Sequence, residues 1–170
     1  YAFDNVVDGT YDIQADGKLR AYQILLNNAE TIVSETGKLY AFGEQFKVMG
    51  GTLTVNGTRE EGAADPAKSD IVASGSVGNG AYAADGVQIE ASYLTINQEA
   101  VVNFNNTVLF VKNGAFNIDN ATVDFANTYV HAGHYTICGN TAADRLFTVN
   151  FSNGADVTLS DGAKMVYDDI

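Results

Sequence analysis

The chain has 170 residues, enough for one domain with a sizeable core and too few for two of ordinary size. Nine basic residues against 21 acidic ones leave a net charge of -12, which repels nucleic-acid phosphates and anionic lipid headgroups alike. Charged residues make up only 18%, proline occurs once, and Asn, Thr, Gly and Val abound, so a disordered chain is excluded in favour of an all-β protein with a mostly neutral polar surface. No apolar run approaches the roughly 18 residues of a membrane span, so no membrane insertion is expected. The start, Tyr1-Ala2-Phe3-Asp4, lacks both Met and a basic leader. Together with the acidic, Lys-poor composition, this leads to the expectation of an exported, extracellular protein.

Along the chain, the first patterned stretch is Leu19 to Ser34. Leu19, Tyr22, Leu26, Ala29 and Val33 fall at near-helical spacing with Gly37 beyond them, whereas Tyr22, Ile24 and Leu26 alternate as in a strand. Both readings stay open. Gly51-Thr52-Leu53-Thr54-Val55-Asn56 alternates cleanly and resembles Gly114-Ala115-Phe116-Asn117-Ile118-Asp119 further on. Between them, residues 59–85 are rich in Ala, Gly, Ser and Asp and hold the only proline, Pro66. This segment reads as an irregular excursion, with a short strand at Ile71-Val72, and is the place expected to make a specialised contact.

The second half carries a repeat. Val102-Asn103-Phe104-Asn105-Asn106, Val123-Asp124-Phe125-Ala126-Asn127 and Val149-Asn150-Phe151-Ser152-Asn153 share one pattern and start at 102, 123 and 149, steps of 21 and 26 residues. Leu94-Thr95-Ile96-Asn97 precedes the first unit as Phe116-Asn117-Ile118-Asp119 precedes the second, and Thr107-Val108-Leu109-Phe110 answers to Thr128-Tyr129-Val130-His131. Ala155-Asp156-Val157-Thr158-Leu159-Ser160 continues the alternation. One coil is therefore three short strands and their turns, in the size range of solenoid repeats.

A strand with alternate side chains inward buries only one face, so each coil needs another coil to cover it. The expected fold is one domain, residues 1–170, built as a parallel β-solenoid or stacked β-arches. The weighed alternative is an antiparallel β-sandwich. Stacking puts Val102, Val123 and Val149 in one interior ladder and Phe104, Phe125 and Phe151 in another. Asn and Gly suit the corners because they tolerate left-handed backbone, and stacked Asn amides can hydrogen-bond from coil to coil.

Chemistry-bearing residues are few. His131, His134 and Cys138 are spaced to reach one metal ion, but a structural zinc site needs a fourth ligand and none is near. No metal or other cofactor is expected. Cys138, the single cysteine, excludes an intrachain disulfide and leaves a buried thiol or an intermolecular disulfide to another copy. Acidic residues such as Asp156, Asp161, Asp168 and Asp169 sit in turns without a calcium-binding pattern. Asp144 beside Arg145 reads as a solvated pair, not glycan-cleaving machinery. Sequons at Asn56, Asn105, Asn120 and Asn150 allow glycosylation if the export route provides it. No catalytic constellation emerges, so the protein is not expected to be an enzyme.

With these repeats, a low pI, small size and the lone Cys138, the chain resembles extracellular β-solenoid surface proteins, among them autotransporter passenger domains, surface-layer subunits and the cell-sheath proteins of methanogens. That resemblance, together with the open sheet edges of any such stack, implies a structural subunit that joins other copies of itself through those edges in amyloid-like fashion. The alternative reading is an adhesin that binds glycans or host surfaces.

Overall fold

The computed structural model describes residues 3–7, 10–15, 17–21, 23–35, 37–41, 45–66, 87–89, 93–112, 115–133 and 148–167. The strands fall into six coils of three. Coil 1 is β1 (Phe3–Val7), β2 (Thr10–Ile13) and β3 (Lys18–Ala21), and coil 2 is β4 (Ile24–Asn27), β5 (Glu30–Val33) and β6 (Lys38–Ala41). Coil 3 comprises β7 (Gln45–Met49), β8 (Thr52–Asn56) and β9 (Val87–Ile89), and coil 4 comprises β10 (Tyr93–Asn97), β11 (Val101–Asn105) and β12 (Val108–Lys112). Coil 5 follows as β13 (Ala115–Asp119), β14 (Thr122–Ala126) and β15 (Tyr129–Gly133), and coil 6 as β16 (Thr148–Ser152), β17 (Asp156–Ser160) and β18 (Lys164–Tyr167).

Every strand pairs in parallel with its counterpart one coil away. Two faces are continuous six-stranded sheets, β1-β4-β7-β10-β13-β16 and β2-β5-β8-β11-β14-β17, and the third is two three-stranded sheets, β3-β6-β9 and β12-β15-β18, with β9 beside β12. The fold is a three-faced parallel β-solenoid. An antiparallel sandwich is ruled out, because no described pairing is antiparallel.

Leu19 to Ser34 forms no helix. It holds most of β3 and all of β4 and β5, and its near-helical spacing arises because corners between four-residue strands reset the alternation. Leu19 packs against the core, and Leu26, Ala29 and Val33 are buried in it.

Corners are built as expected from Asn and Gly. Asn28, Asn106, Asn120, Asn127 and Asn153 all have φ between 45 and 52°, and Asp161 has φ 53°. At the corner between the first and second faces a small residue turns inward: Ala29, Gly51, Ala100 and Ala121 stack there, and each carbonyl accepts the N–H of Thr52, Val101, Thr122 or Asp156 in the next coil, at 2.9–3.0 Å. Gly51 is confined in two ways. Its φ is +68°, and a Cβ would lie 2.3 Å from the Ala29 carbonyl oxygen.

The interior ladder is partly as expected. Val102 stacks on Val123 and Phe104 on Phe125, whose rings are 5.3 Å apart and nearly parallel. The ladder then continues through Val157 and Leu159, not through Val149 and Phe151. Val149 and Phe151 belong to the first face, on Phe116 and Ile118. Likewise Leu53 and Val55 lie beneath Val102 and Phe104, so the Gly51 to Asn56 segment shares a face with β11 rather than with β13. The reason is that all three faces present the same inward pair two residues apart, so a Val-x-Phe pattern identifies an inward strand but not its face. The 26-residue step hid a second insertion, 134–147, between β15 and β16.

Phe104, Phe116 and Phe125 are fully buried, whereas Phe151 in coil 6 is 47% exposed. In dilute solution Phe125→Ala should cost about 3–5 kcal/mol. Phe151→Ala, which loses mainly its edge contact with Phe116 at 6.1 Å, should cost about 1 kcal/mol. Urea midpoints of the two variants check the ordering.

Candidate assembly edge and its strap

The inner coils bury their inward residues completely, but coil 6 has no coil beyond it among the described residues. Along β17, Val157 is half-buried and Leu159 is 45% exposed, although Val123 and Phe125 one coil below have no exposure. Val149, Ala155, Ala163 and Met165 are likewise only partly covered, and Tyr167 is largely exposed. Coil 6 therefore presents the solenoid interior in cross-section, bounded by strands that have a neighbour on one side only. Such an edge is a row of backbone donors and acceptors beside an apolar patch, the arrangement that templates further sheet.

Beside this edge runs a strap that the sequence does not announce. After β8 the chain leaves coil 3 at the corner between the second and third faces, and Gly57 to Asp65 crosses the same corner of the coils above. Gly57 N–H donates to the Asn105 carbonyl at 2.7 Å and Arg59 N–H to the Asn106 carbonyl at 2.8 Å. The Arg59 side chain, 8% exposed, then reaches coil 5, where its guanidinium donates to Asn127 Oδ1 at 2.7 Å and to the Ala63 carbonyl at 3.0 Å. Asn127 answers by donating from Nδ2 to the Arg59 carbonyl at 2.8 Å and to Asn106 Oδ1 at 3.0 Å. Finally Asp65 meets Lys164 of coil 6 at 3.0 Å. An open cavity of about 480 Å³ separates the strap from the coil 6 corner, lined by Arg59, Glu61, Asn127, Asp161 and Lys164 among others.

Within the segment 59–85 the described residues, 59–66, make these contacts within their own chain. Ile71-Val72 lies outside the described residues. The charge on Arg59 is buried against neutral acceptors, so losing one of them leaves a cation poorly solvated.

Asn ladders run elsewhere too. Asn105 donates to Asn56 at 3.0 Å and Asn150 to Asn117 at 2.8 Å, each pair one coil apart. Three sequon asparagines, Asn56, Asn105 and Asn150, are consequently tied into the stack, and Thr107 of the Asn105 sequon is fully buried. Asn120 and Asn150 are exposed. His131 takes an ordinary strand position above Phe110, buried and stacked on Tyr129 at 6.4 Å. His134, Cys138, Asp144 and Arg145 lie outside the described residues, as do Asp168 and Asp169. Asp156 and Asp161 are described, and among the described residues no three His, Cys, Asp or Glu side chains gather to hold a metal.

No known protein family, curated protein or solved structure matches the chain.

Asn127→Gly keeps the left-handed corner accessible while removing the amide from Arg59. It should destabilise the protein by about 3 kcal/mol, since a hydrogen bond to a buried charge is lost. Lys164→Ala, which breaks a half-exposed ion pair, should cost less than about 1 kcal/mol. Urea denaturation measures both, and protease cutting between 57 and 66 should rise in the first variant alone.

Proposed function

We propose that this protein is a structural subunit of an extracellular assembly, such as a sheath, surface layer or fibre, and that copies join through the edges of their solenoids. The observation carrying this reading is coil 6, where the residues equivalent to the fully buried Val123 and Phe125 are partly buried Val157 and 45% exposed Leu159. The protein's work is mechanical and adhesive, with no reaction catalysed and with other copies of itself as partners.

Magnitudes set how such an edge must engage. Fully burying a Leu or Phe side chain contributes roughly 1.5–3 kcal/mol. Leu159 and Phe151 are already about half buried, so together they supply about 1.5–3 kcal/mol. Association costs roughly 4–15 kcal/mol in lost translational and rotational freedom. Two side chains are not enough, and the whole three-strand edge has to pair, backbone hydrogen bonds included. Each copy also carries a charge of -12, which opposes association over about 10 Å at 0.1 M salt.

Assembly should therefore grow with protein concentration and with added salt, which analytical ultracentrifugation and negative-stain electron microscopy can follow. Leu159→Lys places a charge in the exposed interior and should raise the concentration needed for assembly at least tenfold while leaving the monomer folded by circular dichroism. A wild-type protein that stays monomeric at millimolar concentration and high salt would sink the proposal and favour a soluble, glycan-binding adhesin.

A further inference from the structure

Arg59 carries a charge that its own chain leaves without a counterion. The side chain is 8% exposed, and its guanidinium donates to Asn127 Oδ1 at 2.7 Å, to the Ala63 carbonyl at 3.0 Å and, weakly, to the Asn127 carbonyl at 3.4 Å. All three acceptors are neutral, and among the described residues no carboxylate pairs with Arg59. A guanidinium has five N–H groups, so at least two of them have no acceptor among the described residues. Arg59 also lines the open cavity of about 480 Å³ between the strap and the corner of coil 6. A buried cation short of acceptors, beside a cavity of small-ligand size, calls for an anionic group.

Both walls of this cavity are described chain. The strap contributes Arg59 and Glu61, and the corner contributes Asn127 of coil 5 with Asp161 and Lys164 of coil 6. Groups of opposite kinds therefore line one space. Lys164 Nζ, held by Asp65 at 3.0 and 3.1 Å, adds a second cation, whereas Glu61 and Asp161 are exposed and offer carboxylate oxygens as acceptors. Small residues keep the space open, since a Cβ at Gly62 or Gly162 would meet no atom within 4 Å.

Simpler ligands are each mismatched to these walls. A metal ion is opposed by Arg59 and Lys164, and among the described residues no three acidic, His or Cys side chains gather to hold one. A polyanion meets Glu61, Asp161 and a net charge of -12. An apolar ligand leaves the buried charge unpaired. A ligand with one carboxylate and several hydroxyls suits both walls, because the carboxylate accepts from the guanidinium and the hydroxyls donate to the acidic side chains. We propose that this cavity binds a uronic-acid unit of an acidic polysaccharide, with its carboxylate on Arg59 and its hydroxyls on Glu61 and Asp161. The site goes beyond self-association and stands whether or not copies join.

Sodium glucuronate, methyl glucoside and sodium acetate separate the two contributions, followed by titration calorimetry and by the amide NMR signals of Gly62 and Gly162 in the wild-type protein. Glucuronate should bind saturably and shift both signals. Methyl glucoside lacks the carboxylate and acetate lacks the hydroxyls, so each should bind at least tenfold more weakly, the order of magnitude of a lost charge-assisted hydrogen bond. Arg59→Met removes the charge and should abolish glucuronate binding, although it also loosens the strap. Glu61→Ala alters an exposed side chain instead, and it should reduce the preference for glucuronate over acetate several-fold with the fold intact by circular dichroism. An unchanged preference in Glu61→Ala, or acetate binding as tightly as glucuronate to the wild type, would overturn the sugar assignment. Glucuronate that does not bind at tens of millimolar, or that shifts other signals and spares Gly62 and Gly162, would overturn the site itself.

Discussion

The inward face of a coil can be covered only by another coil. Each coil is one strand thick on every face, so its inward residues meet across the interior, as Phe116 and Phe125 do at 6.5 Å, but are sealed above and below only by neighbours along the axis. Everything else in the molecule follows from that dependence. Backbone hydrogen bonds run lengthwise, inward side chains stack on their equivalents, and the interior is dry wherever a coil lies between two others. It is open wherever a coil is last. The exposure of Leu159 and Phe151 is the remainder of this construction principle, at the end where no described element covers the stack.

Parallel stacking demands that each coil turn at the same place, which is a backbone problem before it is a packing problem. Left-handed residues at Asn28, Asn106, Asn120 and Asn127 solve it, and the amide of Asn127 then bonds along the axis to that of Asn106. The corner also sets what the fold tolerates. Two long insertions, 57–86 and 134–147, separate β8 from β9 and β15 from β16, and the described strands on either side keep their register. The first insertion turns this tolerance to use, because its opening residues become an axial strap whose anchor, Arg59, ties coil 3 to coil 5.

Much of this organisation is legible in the residues. Coils 4 and 5 lack insertions within or between them, so their three-part correspondence reads straight from the chain, Leu94 to Phe116, Val102 to Val123 and Leu109 to Val130. Asn at the corners is legible for the same reason, since few other side chains accept a left-handed turn. The assignment of Val149 and Phe151 to the first face is not legible, because an inward pair carries no mark of its face and the insertion before it removes the spacing that would supply one. Arg59 is likewise silent. A lone arginine in a polar stretch looks solvated, and its burial depends on where the Asn127 corner happens to stand two coils away.

The candidate edge divides in the same way. Its chemistry is written in short β-prone strands with apolar residues at every second place. Its location is not, because exposure at Leu159 and burial at Phe125 concern residues of like character in like patterns, and they differ only in whether a coil lies above. By itself, the sequence determined that this protein stacks strand-and-turn coils with Asn and Gly corners and has little else with which to form a core. Only the tertiary structure decided which strands share a face, that Gly57 to Asp65 straps the corner, and that no described coil covers coil 6. Alternation is a local property of the chain, whereas register and termination arise from contacts between residues 20 to 100 positions apart.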